Sequence, residues 1–274
     1  MSPKISIEGH GIKRGLTAVE AAILLETPLD KVMTMILFGT LKKNAATVTA
    51  RNPLMLDVTS PMPEGLNDYE INFLNAFKES NKTTRRNLLR EMTVKLVKSV
   101  SEKMKGFSRN ETLAYYKSIM EKAWVQVEQA NTPEVQGKLY DENLEWTMLD
   151  KDYDDRSRRV FTRPVIVPTW WYRYDPVWAG GGRTVSPRGS TSTGGRSGSS
   201  ALPGADFAAS VVTGVQTFSS NVIGNVAEFT SKVTNVTNPP PKPSSSGYRG
   251  GGGHSGGCAC ACAGCACACA GGGR

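Results

Sequence analysis

Six cysteines near the C-terminal end carry the clearest potential for chemistry in this chain of 274 residues. They fall in two identical, adjacent copies of the motif Cys-Ala-Cys-Ala-Cys-Ala-Gly. In an extended backbone alternate side chains point to one side, so each copy would present three thiols together. Thiolates are soft ligands that favour Zn²⁺ or Cu(I), whereas C-x-C pairs close strained disulfide rings. The candidate metal ligands are Cys258, Cys260, Cys262, Cys265, Cys267 and Cys269.

A second interpretation of this repeat requires no metal. The thiols would then belong to a low-complexity tail that a processing or sorting machinery recognises. Because ligand spacing alone does not define a metal site, the sequence leaves two alternatives, no cofactor or a Zn²⁺ or Cu(I) ion.

Residues that commonly carry out catalysis are scarce. General acid–base chemistry at neutral pH most often uses histidine, and the chain has two, His10 and His254, neither on a predicted helix or strand. The sequence also lacks the glycine-rich motifs that bind dinucleotides or nucleotide phosphates. We therefore expect no enzyme and no small-molecule substrate.

The acidic run 150–155 resembles a calcium-binding loop in composition alone. Such a loop needs glycine at its sixth position and glutamate at its twelfth, where this chain has Asp155 and Phe161. We predict a hydrated acidic loop that faces the three arginines following it.

The elements that would position any site lie in the front of the chain, because 21 of the 28 glycines come after Ala179. Helix starts are marked by capping pairs, in which a polar side chain and a glutamate three residues later bond to each other's backbone N–H. These pairs are Thr17–Glu20, Asn67–Glu70 and Ser108–Glu111.

Residues 12–60 are predicted to form a small winged-helix-like unit. Two short helices, the second over 28–42, precede two short strands at 46–50 and 54–58. A helix that reads DNA exposes several Arg, Lys, Asn or Gln side chains, and this second helix is mostly apolar. We therefore favour a unit used for protein contact or as a spacer.

Residues 66–178 are predicted to form a helical domain with an aromatic-rich extended end. Apolar residues recur at helical spacing over 84–105 and 133–149. The segment 165–178 holds three tryptophans and two prolines. We expect it to cover the helical core, with a membrane interface as the alternative.

The net charge of +8 is unevenly placed along the chain. Residues 78–109 hold ten basic and three acidic side chains, whereas 110–160 are net acidic. A pair of solvated helices of opposite charge explains this pattern most simply. A nucleic-acid or anionic-lipid surface on the basic 82–105 helix is the alternative.

The rest of the chain is predicted to hold one further helix. Residues 179–205 have the composition of a flexible linker, and 237–274 that of a disordered tail rich in proline, glycine and cysteine. Between them, 206–236 carries an apolar seam that repeats every three or four residues and predicts an amphipathic helix. A partner helix, a groove on the front domain or a lipid surface would cover this seam. The predicted docking residues are Phe207, Val211, Val215, Phe218, Val222, Val226, Phe229 and Val233.

A family resemblance is carried by the stretch LTAVEAAILLETPLDKVMTMILFGTLKKNAATV and by the Gly- and Cys-rich tail. The chain resembles the cytosolic winged-helix region of bacterial predicted membrane proteins of unknown function, over 12–178 and, in character, in the tail. The resemblance implies a helix-rich cytosolic module near a membrane and transfers no activity. The chain departs from that pattern because it contains no apolar run long enough to cross a bilayer.

These observations predict a mainly α protein: a small winged-helix-like unit and a helical bundle, then a largely disordered tail with one amphipathic helix. The first residues lack the apolar stretch of a signal peptide, so we expect a cytoplasmic protein, with membrane association as an option. The function we expect is a non-catalytic scaffold that docks to a protein partner or membrane surface through 206–236 and presents its thiols. The alternatives are soft-metal binding or trafficking through the cysteines, and nucleic-acid binding through the 82–105 helix.

Overall fold

The computed structural model of the chain describes residues 9–51, 53–162, 164–166, 168–174, 201–203, 211–216 and 222–238. This part of the chain is mainly helical, as predicted. Its front helices are α1 (Ala18–Leu24), α2 (Leu29–Lys42), α3 (Asp68–Lys78), α4 (Lys82–Lys103), α5 (Arg109–Glu128), α6 (Pro133–Thr147), α7 (Tyr153–Val160) and α8 (Trp171–Tyr174). Its C-terminal helices are α9, residues 211–216, and α10 (Val226–Thr237).

Short strands form two antiparallel pairs among the described residues. Strand β1 (Ala46–Arg51) pairs with β2 (Leu54–Val58), with a register shift between Val48 and Ala50. Strand β3 (Pro164–Ile166) pairs with β4 (Ala201–Pro203). The order of two helices followed by a hairpin is the one the sequence predicts for 12–60.

Hydrogen bonds to the residue before each helix fix several helix starts. At α1, the Glu20 backbone N–H donates to the Thr17 hydroxyl at 3.2 Å and the Thr17 N–H donates to the Glu20 carboxylate at 3.1 Å. Asn67 and Glu70 make the same reciprocal pair at α3. These bonds satisfy N–H groups that have no partner within the helix, so the two predicted starts are confirmed.

The helix predicted over 84–105 begins earlier, at Lys82. The Asn81 side chain accepts from the backbone N–H groups of Thr83 and Thr84 at 2.9 and 3.1 Å, and this cap sets the start. The helix predicted to reach residue 149 ends at Thr147.

Helix α2 lies at the centre of the fold. Its residues from Val32 to Leu41 are all buried, because α1, α3, α8, α10 and β1 pack around it. A helix that is apolar on all sides is stable only in such surroundings. The units predicted at 12–60 and 66–178 consequently share one hydrophobic core.

The described residues of the aromatic segment cover this core, as expected, while 175–178, with Trp178, lie outside the described residues. The rings of Trp170, Trp171 and Tyr174 are buried, with centroids 5.5, 5.5 and 5.1 Å from that of Phe38. The Trp170 indole N–H donates to an Asp141 carboxylate oxygen at 2.6 Å, so one edge of the cluster is polar.

The predicted extended conformation of this segment is only partly correct. After β3 the chain makes the short helix α8, which begins as the Trp171 N–H donates to the carbonyl of Pro168 at 3.0 Å. The prolines flanking the aromatic residues restrict only themselves and the residue before each, so the residues between them are free to turn.

The acidic run 150–155 is likewise only partly a loop, because α7 begins at Tyr153. This helix carries acidic side chains in its first turn and arginines in its last, an order that suits the helix dipole. The predicted contact with an arginine does form: the Arg156 guanidinium lies 3.3 Å from the Asp150 carboxylate.

Candidate docking site

The C-terminal apolar seam lies against the front of the same chain. Helix α10 packs on α4 and α2, and its residues Phe229, Thr230 and Val233 are buried. Of the predicted docking residues, the structure buries Val211, Val222, Phe229 and Val233 and half-buries Val215 and Val226, while Phe207 and Phe218 lie outside the described residues. A groove on the front domain, one of the three expected coverings, is therefore what covers the described part of the seam.

The prediction of one unbroken helix over 206–236 is wrong. The helix is interrupted before α10, where Gly224 has φ +75° and Asn225 adopts an extended conformation. The Asn225 side chain accepts from the backbone N–H of Glu228 at 3.0 Å and so starts a new helix. A positive φ is readily adopted by glycine, which explains why the break falls at this residue.

A second glycine lets α9 come close to the aromatic cluster. A Cβ atom at Gly214 would lie 2.6 Å from the Tyr174 hydroxyl oxygen and 3.3 Å from the Phe38 ring. Real Cβ contacts are essentially never that short, so a larger residue would push α9 away from the core. Gly214 therefore allows α9 to pack closely on the aromatic cluster, although glycine has a low helix propensity.

A small cavity of about 30 Å³ lies along this groove, between α10 and α4. Its lining includes Arg86 and Arg90 of α4, together with Ile223, Phe229 and Lys232 of the C-terminal segment. The groove therefore places two guanidinium groups and one ammonium group beside the buried seam.

The acidic side chain of this groove, Glu228, is paired within its own helix. Its carboxylate lies 2.5 Å from the Lys232 ammonium. The hydrogen bond from Lys232 and the positive charge of Lys232, and to a smaller extent the charge of Arg86, hold the pKa of Glu228 below its ordinary value.

Sequence reasoning overlooked several residues of this site. Ile223 is buried beside the seam, and its position just before Gly224 gave no periodic signal for it. The start of α10 did carry a signal, because Asn225 is followed three residues later by Glu228, the capping pattern that marks other helices of this chain. The role of Arg86 and Arg90 depends on α10 lying next to them.

The predicted metal ligands lie in another part of the chain. The six cysteines from Cys258 to Cys269 and His254 are outside the described residues. Within the described ranges, no group of three or more His, Cys, Asp or Glu side chains is arranged to hold a metal ion. Among the helices that the structure describes, none is long and apolar enough to span a bilayer.

Comparison of the chain with family models, characterised proteins and solved structures gives no match.

Proposed function

We propose that this protein is a non-catalytic interaction module whose docking element is the C-terminal segment 211–238. The observation that carries the proposal is the burial of Phe229 and Val233 in a groove formed by α4 and α2. An amphipathic helix lying with its apolar face in a groove is a common mode of peptide recognition. The same seam would bind a protein partner or a membrane surface when it leaves the groove.

The covalent connection supports reversible docking of this kind. The sequence between α8 and β4 is rich in glycine and serine over 179–200, the composition of a flexible linker. The predicted linker of 179–205 is wrong at 201–203, because these residues form β4 and pair with β3. A tethered ligand has an effective concentration of the order of millimolar, which keeps a weakly bound segment docked until a competitor appears. The β-branched and glycine residues of the segment also make it a weak helix on its own.

From the resemblance to cytosolic regions of bacterial membrane proteins we infer that this module works at a membrane, on the cytoplasmic side. In that setting the winged-helix-like unit of residues 12–60 acts as a structural spacer or protein contact. The burial of α2 supports this interpretation, because a DNA-reading helix must expose a face to the bases.

Hydrogen exchange measured by mass spectrometry on the full chain tests the docking proposal. We expect the amides of α10 to exchange through a local opening, well before those of α2. Val233→Asp places a charge in the buried seam and should open α10 while α2 stays protected. Val236→Asp is the matched control, because Val236 is 53% exposed on the same helix.

Two results would contradict the proposal. Simultaneous exchange of α10 and α2 in the unmodified chain would make α10 a permanent part of the core. Global unfolding by Val233→Asp would lead to the same conclusion.

The second candidate function is soft-metal binding by the cysteine repeat. The observation in its favour is the exact duplication of a seven-residue unit with three cysteines. Elemental analysis of protein purified without oxygen or added metal should find zinc or copper in near-integer ratio, lost in a version that ends at Gly257. If both versions are metal-free and added Zn²⁺ binds no tighter than to a scrambled cysteine peptide, metal binding is excluded.

A further inference from the structure

The first turns of α4 carry positive charge where a helix favours negative charge. The N-terminal end of a helix is the positive end of its dipole, and acidic side chains stabilise it. The first turn of α4 contains no acidic residue, and Lys82, Arg85 and Arg86 lie in its first two turns. A sequence that breaks a local rule in this way often does so for a function.

One of these cations has an internal role. The Arg85 guanidinium donates to the carbonyl oxygen of Glu79 at 2.6 and 3.1 Å and lies 5.1 Å from the centre of the Phe77 ring. It therefore helps to close the turn between α3 and α4.

The remaining cations follow one side of α4. Lys82, Arg86 and Arg90 are four residues apart and so lie on the same face of the helix. Arg86 and Arg90 also line the groove that contains Lys232 of α10. We call this set of four cations, Lys82, Arg86, Arg90 and Lys232, the basic edge.

The described part of the protein neutralises the basic edge only in part, because Glu228 offsets the charge of Lys232 and, more weakly, that of Arg86. Glu228, the acidic residue of the groove, forms its ion pair with Lys232 at 2.5 Å. No ion pair joins a described acidic side chain to Arg86 or Arg90. Two guanidinium groups one helical turn apart are thus available to an anion from outside.

We propose that the basic edge binds the headgroups of an anionic lipid surface, next to the groove from which the apolar seam of α10 would enter that surface. This inference rests on the proposed function, because it names the partner that competes for the seam. Guanidinium groups form strong, paired hydrogen bonds with phosphate oxygens.

The position of the seam favours a lipid surface over a nucleic acid. Phe229 and Ile223 share the groove with Arg86 and Arg90, so apolar and basic groups meet at one place. A membrane interface binds both apolar and basic groups, whereas the phosphate backbone of a nucleic acid binds the basic groups alone. Lipid headgroups would therefore favour the state in which the seam leaves its groove, because that state alone offers both contacts.

Vesicle binding by the full chain tests this inference. Phosphatidylcholine vesicles with phosphatidylglycerol should bind the protein, and those of phosphatidylcholine alone should not. Arg86→Gln combined with Arg90→Gln should weaken binding about 30-fold, from the usual contribution of two cations near an anionic surface. Lys95→Gln combined with Lys98→Gln is the matched control, since it removes the same charge from the opposite side of α4 and should change binding little.

A single charge reversal separates binding from stability. Lys82→Glu places an acid at the first position of α4, where the helix dipole favours it, so the thermal midpoint should hold or rise. Vesicle binding by the same variant should fall. A variant that merely misfolded would lower both.

Three outcomes would overturn the inference. Equal loss of binding in the two double variants would show a response to net charge alone. Local opening of α10 without binding to the anionic vesicles would refute the lipid partner while leaving the proposed function intact. Binding of duplex DNA that requires Arg86 and Arg90, without vesicle binding, would assign the edge to a nucleic acid.

Discussion

Replacement of Arg156 by alanine should destabilise the protein by about 3 kcal/mol, because this side chain ties α7 to α5. The guanidinium lies 2.8 Å from the Glu121 carboxylate and 3.0 Å from that of Glu128 on α5. It also lies 3.3 Å from Asp150 and 5.1 Å from the centre of the Trp124 ring. The Arg156 side chain is only 17% exposed, so solvent screens its contact with the buried Asp150 weakly.

The largest contribution comes from Asp150, whose side chain is 9% exposed. Removing the cation from a buried carboxylate destabilises a protein by about 3–5 kcal/mol. At Asp150 we expect a smaller loss, about 2 kcal/mol. The reason is that Asp150 keeps a hydrogen bond from the Asp152 backbone N–H at 3.0 Å. The more exposed pairs with Glu121 and Glu128 add about 0.3 kcal/mol each, and the contact with Trp124 adds about 0.5 kcal/mol.

Thermal and urea unfolding of the full chain measure this loss. A change of about 3 kcal/mol should lower the thermal midpoint by about 6–12 °C in a protein of this size. Arg158→Ala is the matched control on the same helix, because Arg158 forms an exposed pair with Asp154, so its replacement should leave the stability nearly unchanged. Arg156→Lys keeps the charge without the planar fork and should fall between the two. Equal shifts for Arg156→Ala and Arg158→Ala would refute this reasoning.

Two further predictions concern the core and its titration. Gly214→Ala should destabilise the chain by about 1–2 kcal/mol despite the better helix propensity of alanine, because the new Cβ meets the Tyr174 hydroxyl. Thermal unfolding checks this, and a Tyr174→Phe background should relieve the loss; an increase in stability would contradict it. Lys31 has its pKa lowered from 10.5 to about 8, chiefly by burial, although the charge of Asp150 opposes the shift. The unfolded chain holds this proton to higher pH, so the free energy of unfolding should rise, relative to Lys31→Met, between pH 8 and about 10. Urea titrations at several pH values measure this, and a difference between the two proteins that does not change with pH would contradict the prediction.

The sequence determined the local features of this fold. The capping pair of Thr17 and Glu20 acts through hydrogen bonds between residues three apart, so its effect on the start of α1 needs no tertiary structure. The same holds for the pair of Asn67 and Glu70 at α3. The signal at Asn225 was present in the same form, and the apolar periodicity on both sides of it concealed the break.

At the candidate site, the sequence predicted the apolar seam but not the surface that covers it. Periodicity established that Phe229 and Val233 require a covering surface, because apolar area exposed to water is unfavourable. It did not establish which surface, since the hydrophobic effect has no direction and a groove, a partner or a bilayer satisfies it equally. The packing of α10 on α4 and α2 decided that question for the described part of the chain.

Contacts between residues distant in the sequence were decided by tertiary structure alone. Arg156 meets Glu121 across 35 positions, and Gly214 lies against Tyr174 and Phe38. Each of these contacts depends on how whole helices pack, so no local pattern encodes it. The basic edge depends on both the sequence and the tertiary structure. The spacing of Arg86 and Arg90 is visible in the sequence, whereas Lys232 lies beside them only because α10 docks there.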